Sequence, residues 1–224
     1  DTYIGCLNKY FLDLDLKKNN FFTDISNYIS YEMGQPTHCY DAKKIGNLFS
    51  LEIIEEDKKF HTLLEKEIVI KGRNLVFLQD GKVINLAGVM GGASSEVTSS
   101  TSSIALEAAR FDPVSIARGS RRHKLSSEAS RRLERGVDPS LAEISSARAI
   151  DLMIEFGGAQ HVGSAKSGEP KFAPVVTFDP NFVSQYLGTS VALNEVEEKL
   201  KVVGCDISKK SDTEWLIDPP SWRA

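Results

Sequence analysis

Cysteine, histidine and tryptophan are scarce in this chain, whose 224 residues include three, four and two of them. The three cysteines, Cys6, Cys39 and Cys205, lie far apart without CxxC spacing. That pattern argues against a disulfide framework and a zinc site and favours a reducing compartment. No apolar run approaches the ~20 residues of a membrane helix, and the first residues lack the pattern of a signal peptide. We therefore expect a cytoplasmic protein with no membrane partner and no metal site.

The sequence also lacks the common motifs of enzyme active sites. It has no Ser-His-Asp arrangement, no paired-carboxylate motif and no dinucleotide-binding fingerprint. The glycine-rich segment 87–95 lacks the Lys-Ser/Thr of a P-loop. Its glycines Gly88, Gly91 and Gly92 instead indicate close backbone approach, either for packing or for a small ligand that touches main-chain N–H groups. The serine-rich run 94–103 is expected to be a solvated loop.

Positive charge is concentrated in one stretch of a chain whose net charge is -4. Residues 118–135, called the basic strip below, carry seven arginines and lysines against two glutamates. Such a stretch within an acidic chain predicts a surface that faces a polyanion. The alternative is a solvated helix face in which Glu128 pairs with Arg131 or Arg132. The excess of positive charge in so short a stretch favours the polyanion.

The composition predicts two domains joined by a linker. Residues 163–174 are rich in Gly, Pro, Ser and Lys and have no apolar period, which is typical of a linker. We expect an α+β protein, with a mixed-sheet α/β domain over 1–166 and a small helical, winged-helix-like module over 167–224. The chain ends at Ala224 without a closing element, so we interpret it as a piece of a longer polypeptide.

Short local signals divide the chain further. After the linker the pattern predicts a strand, two short helices, a turn at Gly204 and a second strand over 214–218. Upstream, 103–111 reads as a strand, and an apolar stripe over 141–156 predicts a buried helix face. Four dipeptides fit a type I′ hairpin turn, two helix starts and one helix end, in that order: Asp80-Gly81, Asp112-Pro113, Asp138-Pro139 and Gly157-Gly158.

Two residues stand out as candidates for chemistry. His38 is bounded by Gly34 and Pro36, which places it on a loop or strand end, where an imidazole could position water or bind an ester. A structural turn histidine has the same surroundings. If the predicted strand 103–111 is covered on both faces, Glu107 is a semi-buried carboxylate that needs a partner, either a ligand hydroxyl or an arginine of the basic strip. The remaining histidines are expected to face solvent: His61, His123 and His161.

Four segments together resemble the β subunit of bacterial phenylalanyl-tRNA synthetase. The similarity runs from about residue 20 to the end, and the longest segment is specific enough to exclude chance. The segments are TDISNYISYEMGQPTHCYD (23–41), INLAGVMGG (84–92), ALEAARFDPVSIARGSRRHKLSSEASRRLERGVDP (105–139) and PPSWR (219–223). The resemblance implies the family's editing domain and most of the small module that follows it.

The resemblance implies hydrolysis of tyrosine wrongly esterified to phenylalanine tRNA. A synthetic pocket for phenylalanine cannot strongly reject an analogue with one added hydroxyl, so a second site must sort by that hydroxyl. In the family pattern Glu107 and the main chain at Gly91 recognise it. Ala129 and Gly88 line the pocket, and His38 and Ser127 orient the ester and the attacking water. The catalytic set implied in this way is His38, Glu107 and Ser127.

The resemblance also implies partners and cofactors. Phenylalanine tRNA would face the basic strip, and no DNA contact is expected. The synthetase α subunit would complete an assembly of two α and two β chains. ATP and Mg²⁺ would belong to the aminoacylation site of the full synthetase, so we expect neither in this chain. The residues expected to contact tRNA are Arg118, Arg121, Arg122, Lys124 and Arg131.

The chain departs from the family pattern at three places. Ser127 stands where many members have threonine, which keeps the hydroxyl. Ala93 follows Gly92 where the family often has glutamate. The segment 12–24 lacks the family's arginine and leaves Lys17 or Lys18 as its substitute.

Two other functions are compatible with the sequence. A module that positions tRNA without catalysis is one, although it would not need His38, Glu107, Gly91 and Ala129 together. A free-standing deacylase that acts in trans is the other, and the segment PPSWR argues for the synthetase subunit instead.

Overall fold

A computed structural model of the chain describes residues 5–46 and 50–223, which divide into two compact units, Asp1–Lys166 and Ser167–Ala224. The helices are α1 Cys6–Asp13, α2 Phe21–Met33, α3 Ala42–Ile45, α4 Pro113–His123, α5 Glu128–Leu133, α6 Leu141–Gly157, α7 Asn181–Leu187 and α8 Leu193–Val202. The strands are β1 Thr37–Asp41, β2 Ser50–Ile54, β3 Lys58–His61, β4 Glu67–Ile70, β5 Asn74–Gln79, β6 Lys82–Leu86, β7 Met90–Gly91, β8 Ile104–Ala108, β9 Val176–Phe178, β10 Asp206–Lys209 and β11 Trp215–Asp218. All strand pairs among these are antiparallel, which together with the helices confirms the α+β class.

The larger unit contains a four-stranded sheet in the order β2-β5-β6-β7, a β3-β4 hairpin and the separate pair β1-β8. The β5-β6 hairpin turns at Asp80 and Gly81, whose φ angles of 49° and 72° are both positive. A type I′ turn requires this combination, so the predicted turn is confirmed. Apolar side chains of the four-stranded sheet pack with those of α4 and α5 to form the larger of two cores in this unit.

The pair β1-β8 lies between two cores. Cys39 on β1 faces the smaller core, which α2 and α6 supply, and Leu106 on β8 packs against the same core. On the opposite face Tyr40 and Ala105 belong to the larger core. Both faces of β8 are therefore covered, as the argument for a partner of Glu107 requires.

Two of the three predicted helix ends are confirmed. Asp112 caps α4 by accepting a hydrogen bond from the Ser115 N–H, and Gly158 ends α6 in the left-handed region. Helix α6 begins at Leu141, at the start of the predicted segment 141–156, but its N-cap is Ser140 and not Asp138. The Asp138 carboxylate accepts from the N–H and hydroxyl of Ser140 (2.9 and 2.7 Å), so Asp138 forms a local turn ahead of the helix.

The serine-rich run 94–103 is a mostly exposed loop, as predicted, except at its start. Residues Ala93–Ser95 form a 3₁₀ helix, and Ser95 and Val97 are buried. The Ser95 hydroxyl donates to the Ile84 carbonyl at 3.1 Å. The polar composition of this run indicated solvent exposure, but a serine that bonds to the main chain can be buried at little cost.

The smaller unit contains β9, then α7 and α8, then the hairpin β10-β11, in a sheet of order β10-β11-β9. The sequence missed β10 because only Ile207 of that strand packs inward. The core of the smaller unit contains the buried side chains of Val196, Trp215 and Ile217. Gly204 turns there with a φ of 88°, as predicted.

Of the described helices, none is long and apolar enough to cross a membrane. Cys39 and Cys205 carry free thiols, whereas the side chain of Cys6 and the terminal Ala224 lie outside the described part of the chain. The residues described contain no cluster of His, Cys, Asp and Glu suited to a metal ion.

Candidate active site

The sequence candidates meet at one cavity of about 350 Å³ in the larger unit, called the main cavity below. Its walls come from the start of α2, from β1 and β8, from the β6-β7 turn and from the start of α5. Six of the residues singled out from the sequence line it: His38, Gly88, Gly91, Glu107, Ser127 and Ala129.

His38 and Glu107 are directly opposite each other in the β1-β8 pair. Residues opposite each other on antiparallel strands project from the same face, so both side chains face the main cavity. Burial lowers the pKa of His38 to about 4. Its imidazole is therefore neutral at physiological pH and can accept a hydrogen bond. No residue within the described ranges hydrogen-bonds to the ring, which packs in a T-shaped arrangement with the Tyr40 ring at 4.5 Å between centroids.

Glu107 has a partner that the sequence argument did not consider. The Tyr40 hydroxyl donates to Glu107 Oε2 at 2.6 Å, and Asn85 Nδ2 donates to the Tyr40 oxygen at 2.8 Å. Burial raises the pKa of Glu107 to about 7, although the bond from Tyr40 opposes the rise. The carboxylate thus has one oxygen bound within the protein. Of the two partners that the sequence left open, no arginine within the described residues bonds to it, and a ligand hydroxyl remains as the other.

The glycines of 87–95 provide close approach, as predicted. A Cβ on Gly88 would lie 2.8 Å from Ile116 Cδ1, and Gly88 has a φ of +67°. A Cβ on Gly91 would lie 2.7 Å from Cε1 of His38. The backbone of the cavity wall can therefore lie against the imidazole only because residue 91 is glycine.

The N–H of Gly91 is directed away from its partner strand. The Gly92 N–H donates to the Ile84 carbonyl at 2.9 Å. Hydrogen-bonded and non-bonded pairs alternate along an antiparallel ladder, so the next pair, Asn85 and Gly91, is non-bonded. The Gly91 carbonyl accepts from the Leu63 N–H at 3.0 Å, and by the same alternation the Gly91 N–H points to the side away from β6.

Ser127 is the N-cap of α5. Its hydroxyl accepts from the Ser130 N–H at 3.0 Å and donates to the Val89 carbonyl at 2.9 Å. The single hydroxyl proton is used within the protein, which leaves Ser127 one lone pair for a ligand. Ala129 follows in the first turn of α5, and its methyl group forms part of the wall.

The basic strip separates into engaged and free cations. Arg122 donates to the Arg73 carbonyl at 2.7 Å, so it holds the fold. Arg131 and Arg132 pair with Glu128, both at 3.1 Å, as the solvated-helix alternative expected. Three exposed cations make no hydrogen bond or ion pair within the described part of the chain: Arg118, Arg121 and Lys124.

His123 also differs from its prediction. Its Nε2 lies 3.0 Å from Asn74 Oδ1, and burial lowers its pKa. His61 and His161 are exposed, as expected.

Sequence reasoning missed Tyr40 and Asn85 as residues of the site. Tyr40 lies two positions after His38 and therefore on the same strand face. Asn85 is a lone amide within an apolar strand, where a buried polar group needs a partner. Each residue could be noticed in the sequence. Only the pairing of β1 with β8 and the approach of β6 bring Tyr40 and Asn85 to Glu107.

A smaller recess of about 180 Å³ adjoins the main cavity and shares six of its lining residues: Ser26, Asn27, Pro36, Thr37, Glu128 and Ala129. Lys17, one of the two lysines of the divergent segment 12–24, lines it together with aromatic side chains of α1 and α2. Lys18 instead donates to Asn8 Oδ1 at 3.3 Å.

Comparison with protein families agrees with the two units. The B3/4 domain profile matches residues 6–158, and the tRNA synthetase B5 domain profile matches 176–224. Because the first match covers more than half of the chain, the chain belongs to the B3/4 domain family. The match to the tRNA synthetase B5 domain follows it in the sequence.

Curated relatives define the particular protein that this chain resembles. It is 41% identical over 204 residues to a phenylalanine–tRNA ligase β subunit of Cutibacterium acnes. It is 38% and 37% identical to the same subunit of Streptomyces avermitilis and Corynebacterium efficiens. These alignments cover 91%, 89% and 92% of the chain but only 24%, 24% and 25% of the relatives, so the chain spans about a quarter of their length. The resemblance to this β subunit is confirmed.

Among solved structures, an N-terminal fragment of the phenylalanyl-tRNA synthetase β subunit from Pyrococcus horikoshii matches 91% of the chain and 60% of that fragment. The identity is 12% and the TM-score 0.39.

Proposed function

We propose that the larger unit hydrolyses the ester of tyrosine on phenylalanine tRNA, as an editing domain within a phenylalanine–tRNA ligase. The observation that carries the proposal is the juxtaposition of a half-buried carboxylate, Glu107, with a neutral imidazole, His38, across one cavity. The first group suits recognition of a hydroxyl, and the second suits orientation of an ester and water.

Selection for tyrosine follows from unequal hydrogen bonding. The para-hydroxyl of tyrosine would donate to the free oxygen of Glu107 and accept from the Gly91 N–H. Phenylalanine in the same place would bury both groups without a partner, which costs about 1–3 kcal/mol for each. Ala129 leaves space for the ring, because a larger side chain there would reach into the cavity.

Hydrolysis requires that a water oxygen attack the ester carbonyl and that the ribose oxygen leave with a proton. Neutral His38 can accept a hydrogen bond from that water or from the terminal ribose. Ser127 contributes a lone pair at the same wall. We assign both residues to orientation of water and ester, and this assignment needs no metal ion.

The tRNA would approach over the free cations of the basic strip. Arg118, Arg121 and Lys124 are exposed and available for phosphates. We further propose the synthetase α subunit as partner, in an assembly of two α and two β chains, with ATP and Mg²⁺ bound at the aminoacylation site and not by this chain.

The test is hydrolysis of tyrosyl-tRNA and phenylalanyl-tRNA, both on phenylalanine tRNA, by the complete ligase with Glu107 and with Glu107→Ala. We expect rapid loss of the tyrosyl ester alone, and loss of that preference in the variant. Glu155→Ala, at an exposed carboxylate of α6, is the matched control. Equal, slow decay of both esters with the wild type would leave a tRNA-positioning module.

The free-standing deacylase is a different alternative. Mass analysis of the natural polypeptide separates it from the ligase subunit, since a subunit like the relatives would be about four times the length of the aligned region.

A further inference from the structure

We propose that Tyr40 is a positioning residue which, together with Asn85, holds the Glu107 carboxylate so that one oxygen stays free for the hydroxyl of the substrate. This inference rests on the proposed function and concerns how the same site obtains its selectivity.

The direction of the hydrogen bonds fixes the orientation of the carboxylate. Asn85 Nδ2 can only donate, so the Tyr40 oxygen accepts from it at 2.8 Å. The single hydroxyl proton of Tyr40 is then directed to Glu107 Oε2 at 2.6 Å. One carboxylate oxygen is thereby occupied, and no residue in the described ranges bonds to the other, which remains as an acceptor in the cavity that Glu107 lines.

The two residues that impose this direction are rigidly held. Tyr40 is 0% and Asn85 3% exposed. The Tyr40 ring packs edge-on against His38 on one side and against Phe77, at 5.9 Å between centroids, on another. A tyrosine fixed in this way connects the position of the imidazole to that of the carboxylate.

The Asn85 side chain has a hydrogen-bond partner for its nitrogen but none for its oxygen within the described residues. No described residue bonds to Asn85 Oδ1, which is buried. An unpaired buried acceptor is unfavourable, and such groups occur in native proteins where they serve a function. Donation from Nδ2 to Tyr40 is a function that leucine, of similar size, could not supply.

The bond from Tyr40 also favours the ionised form of Glu107, because a donor stabilises a carboxylate. Without that bond the acid form of Glu107 would gain, and an acid presents a proton as well as a lone pair. The site would then distinguish a tyrosine hydroxyl from the plain ring of phenylalanine less well.

The experiment measures hydrolysis of tyrosyl-tRNA and phenylalanyl-tRNA, as a function of pH, with the complete ligase of which this chain is proposed to be a part. For Tyr40→Phe we expect the ratio of the two rates to fall about tenfold, as loss of one hydrogen bond to a charged group predicts. We also expect the pH at which tyrosine selectivity reaches half its maximum to rise.

Asn85→Leu and the double variant show whether Asn85 acts through Tyr40. Asn85→Leu should reduce selectivity in the wild-type background and change nothing further when Tyr40 is already phenylalanine. The matched control is Tyr28→Phe, which removes a hydroxyl that donates to Glu32 at 2.9 Å outside the main cavity, and which should leave selectivity and its pH profile unchanged.

The outcomes are distinguishable. A wild type that hydrolyses the tyrosyl ester selectively, with a Tyr40→Phe variant of the same selectivity and pH profile, would overturn the inference and leave the proposed function intact. A fully additive effect of Asn85→Leu in the double variant would overturn the relay through Tyr40. A wild type that hydrolyses neither ester would overturn the proposed function and this inference with it.

Discussion

His38 and Glu107, which face each other across the main cavity, are both shifted towards their neutral forms. Burial lowers the pKa of His38 to about 4 and raises that of Glu107 to about 7. Desolvation disfavours whichever form is charged, so one cause gives shifts of opposite direction in a base and an acid. Near neutral pH the imidazole is uncharged, and Glu107 lies close to its titration midpoint.

Glu107→Gln should stabilise the chain at alkaline pH. The pKa of Glu107 is higher in the folded state than in the unfolded state, so the protonated form of Glu107 favours folding at acidic pH. This contribution to the free energy of unfolding is lost as the pH rises through about 7. Glutamine avoids this loss, so we expect the variant to be more stable than wild type by about 1–3 kcal/mol at pH 8.5, with little difference at pH 4.5. Urea unfolding at the two pH values measures it.

Glu32→Gln serves as the control of opposite sign. Burial tends to raise the pKa of Glu32, but hydrogen bonds from Arg148 and Tyr28 outweigh it and the pKa is lowered. This variant should be less stable than wild type at pH 8.5. A gain for both variants at alkaline pH would contradict the account.

Gly91→Ala should impair hydrolysis far more than folding. Its Cβ would lie 2.6 Å from Leu63 Cδ1 and 2.7 Å from His38 Cε1, so the imidazole must move. We expect hydrolysis of the tyrosyl ester to fall by roughly 100-fold, the loss that misplacement by about 1 Å can cause. Gly119→Ala is the control, because nothing there lies closer than 3.8 Å and alanine favours a helix. Normal activity in Gly91→Ala would refute the close approach.

Among the elements, α5 starts at a capping box formed by Ser127 and Ser130, and the Ser127 hydroxyl also tethers the helix to the cavity wall. Ser127→Ala removes the N-cap and the bond to the Val89 carbonyl. We expect a loss of about 1–2 kcal/mol in unfolding free energy. Ser127→Thr keeps the hydroxyl and should be nearly neutral, and thermal unfolding of both variants provides the comparison. Equal losses in the two variants would show that the hydroxyl is not responsible.

Helix α4 and the residue after it carry the free cations of the basic strip. Arg118→Ala with Arg121→Ala should weaken tRNA binding and reduce the slope of log affinity against log salt by about 1–2, as the loss of one or two phosphate contacts requires. Arg131→Ala is the control, since its guanidinium is already paired with Glu128. Filter binding over a salt series measures both, and an unchanged slope in the double variant would locate the tRNA elsewhere.

Local signals predicted the elements well where chemistry within a few residues decides them. The hairpin turn at Asp80-Gly81 depends only on the backbone preferences of those two residues. The N-cap of α4 depends only on the bond that Asp112 accepts from the Ser115 N–H. The capping role of Asp138 was predicted wrongly because its carboxylate bonds to Ser140 in a local turn, and β10 was missed because its apolar alternation is weak.

The site was predictable in its members but not in its connections. His38 and Glu107 could be named from the sequence and the resemblance. The bond from Tyr40 to Glu107 joins residues 67 positions apart, and the bond from Asn85 to Tyr40 joins residues 45 apart. No periodicity reports such contacts, so the sequence left the partner of Glu107 open between a ligand hydroxyl and an arginine and did not indicate Tyr40.

At the scale of the whole molecule, the two units differ greatly in the size of their cores. The larger unit has two clusters of buried apolar residues, and the smaller unit has one that contains three buried side chains. Small domains bury a smaller share of their surface and are correspondingly marginal.

Trypsin should cleave the linker first, because Lys166 and Lys171 lie in an exposed segment without helix or strand. We expect the larger fragment to keep a cooperative thermal transition and the smaller fragment to unfold at a lower temperature, as calorimetry of the separated fragments can measure. Arg148, which pairs with Glu32 on a helix, is the internal reference and should resist cleavage. First cleavage at Arg148 would contradict this division.

The register of β1 with β8 limits the kinds of sequence change that this site can survive. Successive side chains of a strand alternate between its faces, so inserting or deleting one residue within either strand would direct His38 or Glu107 into the smaller core and bring Cys39 or Leu106 to the cavity. Substitutions can thus retune the pocket gradually, whereas changes of length in these two strands abolish it at once. A library built to alter its specificity should vary residue identity there and confine insertions to the surface turns.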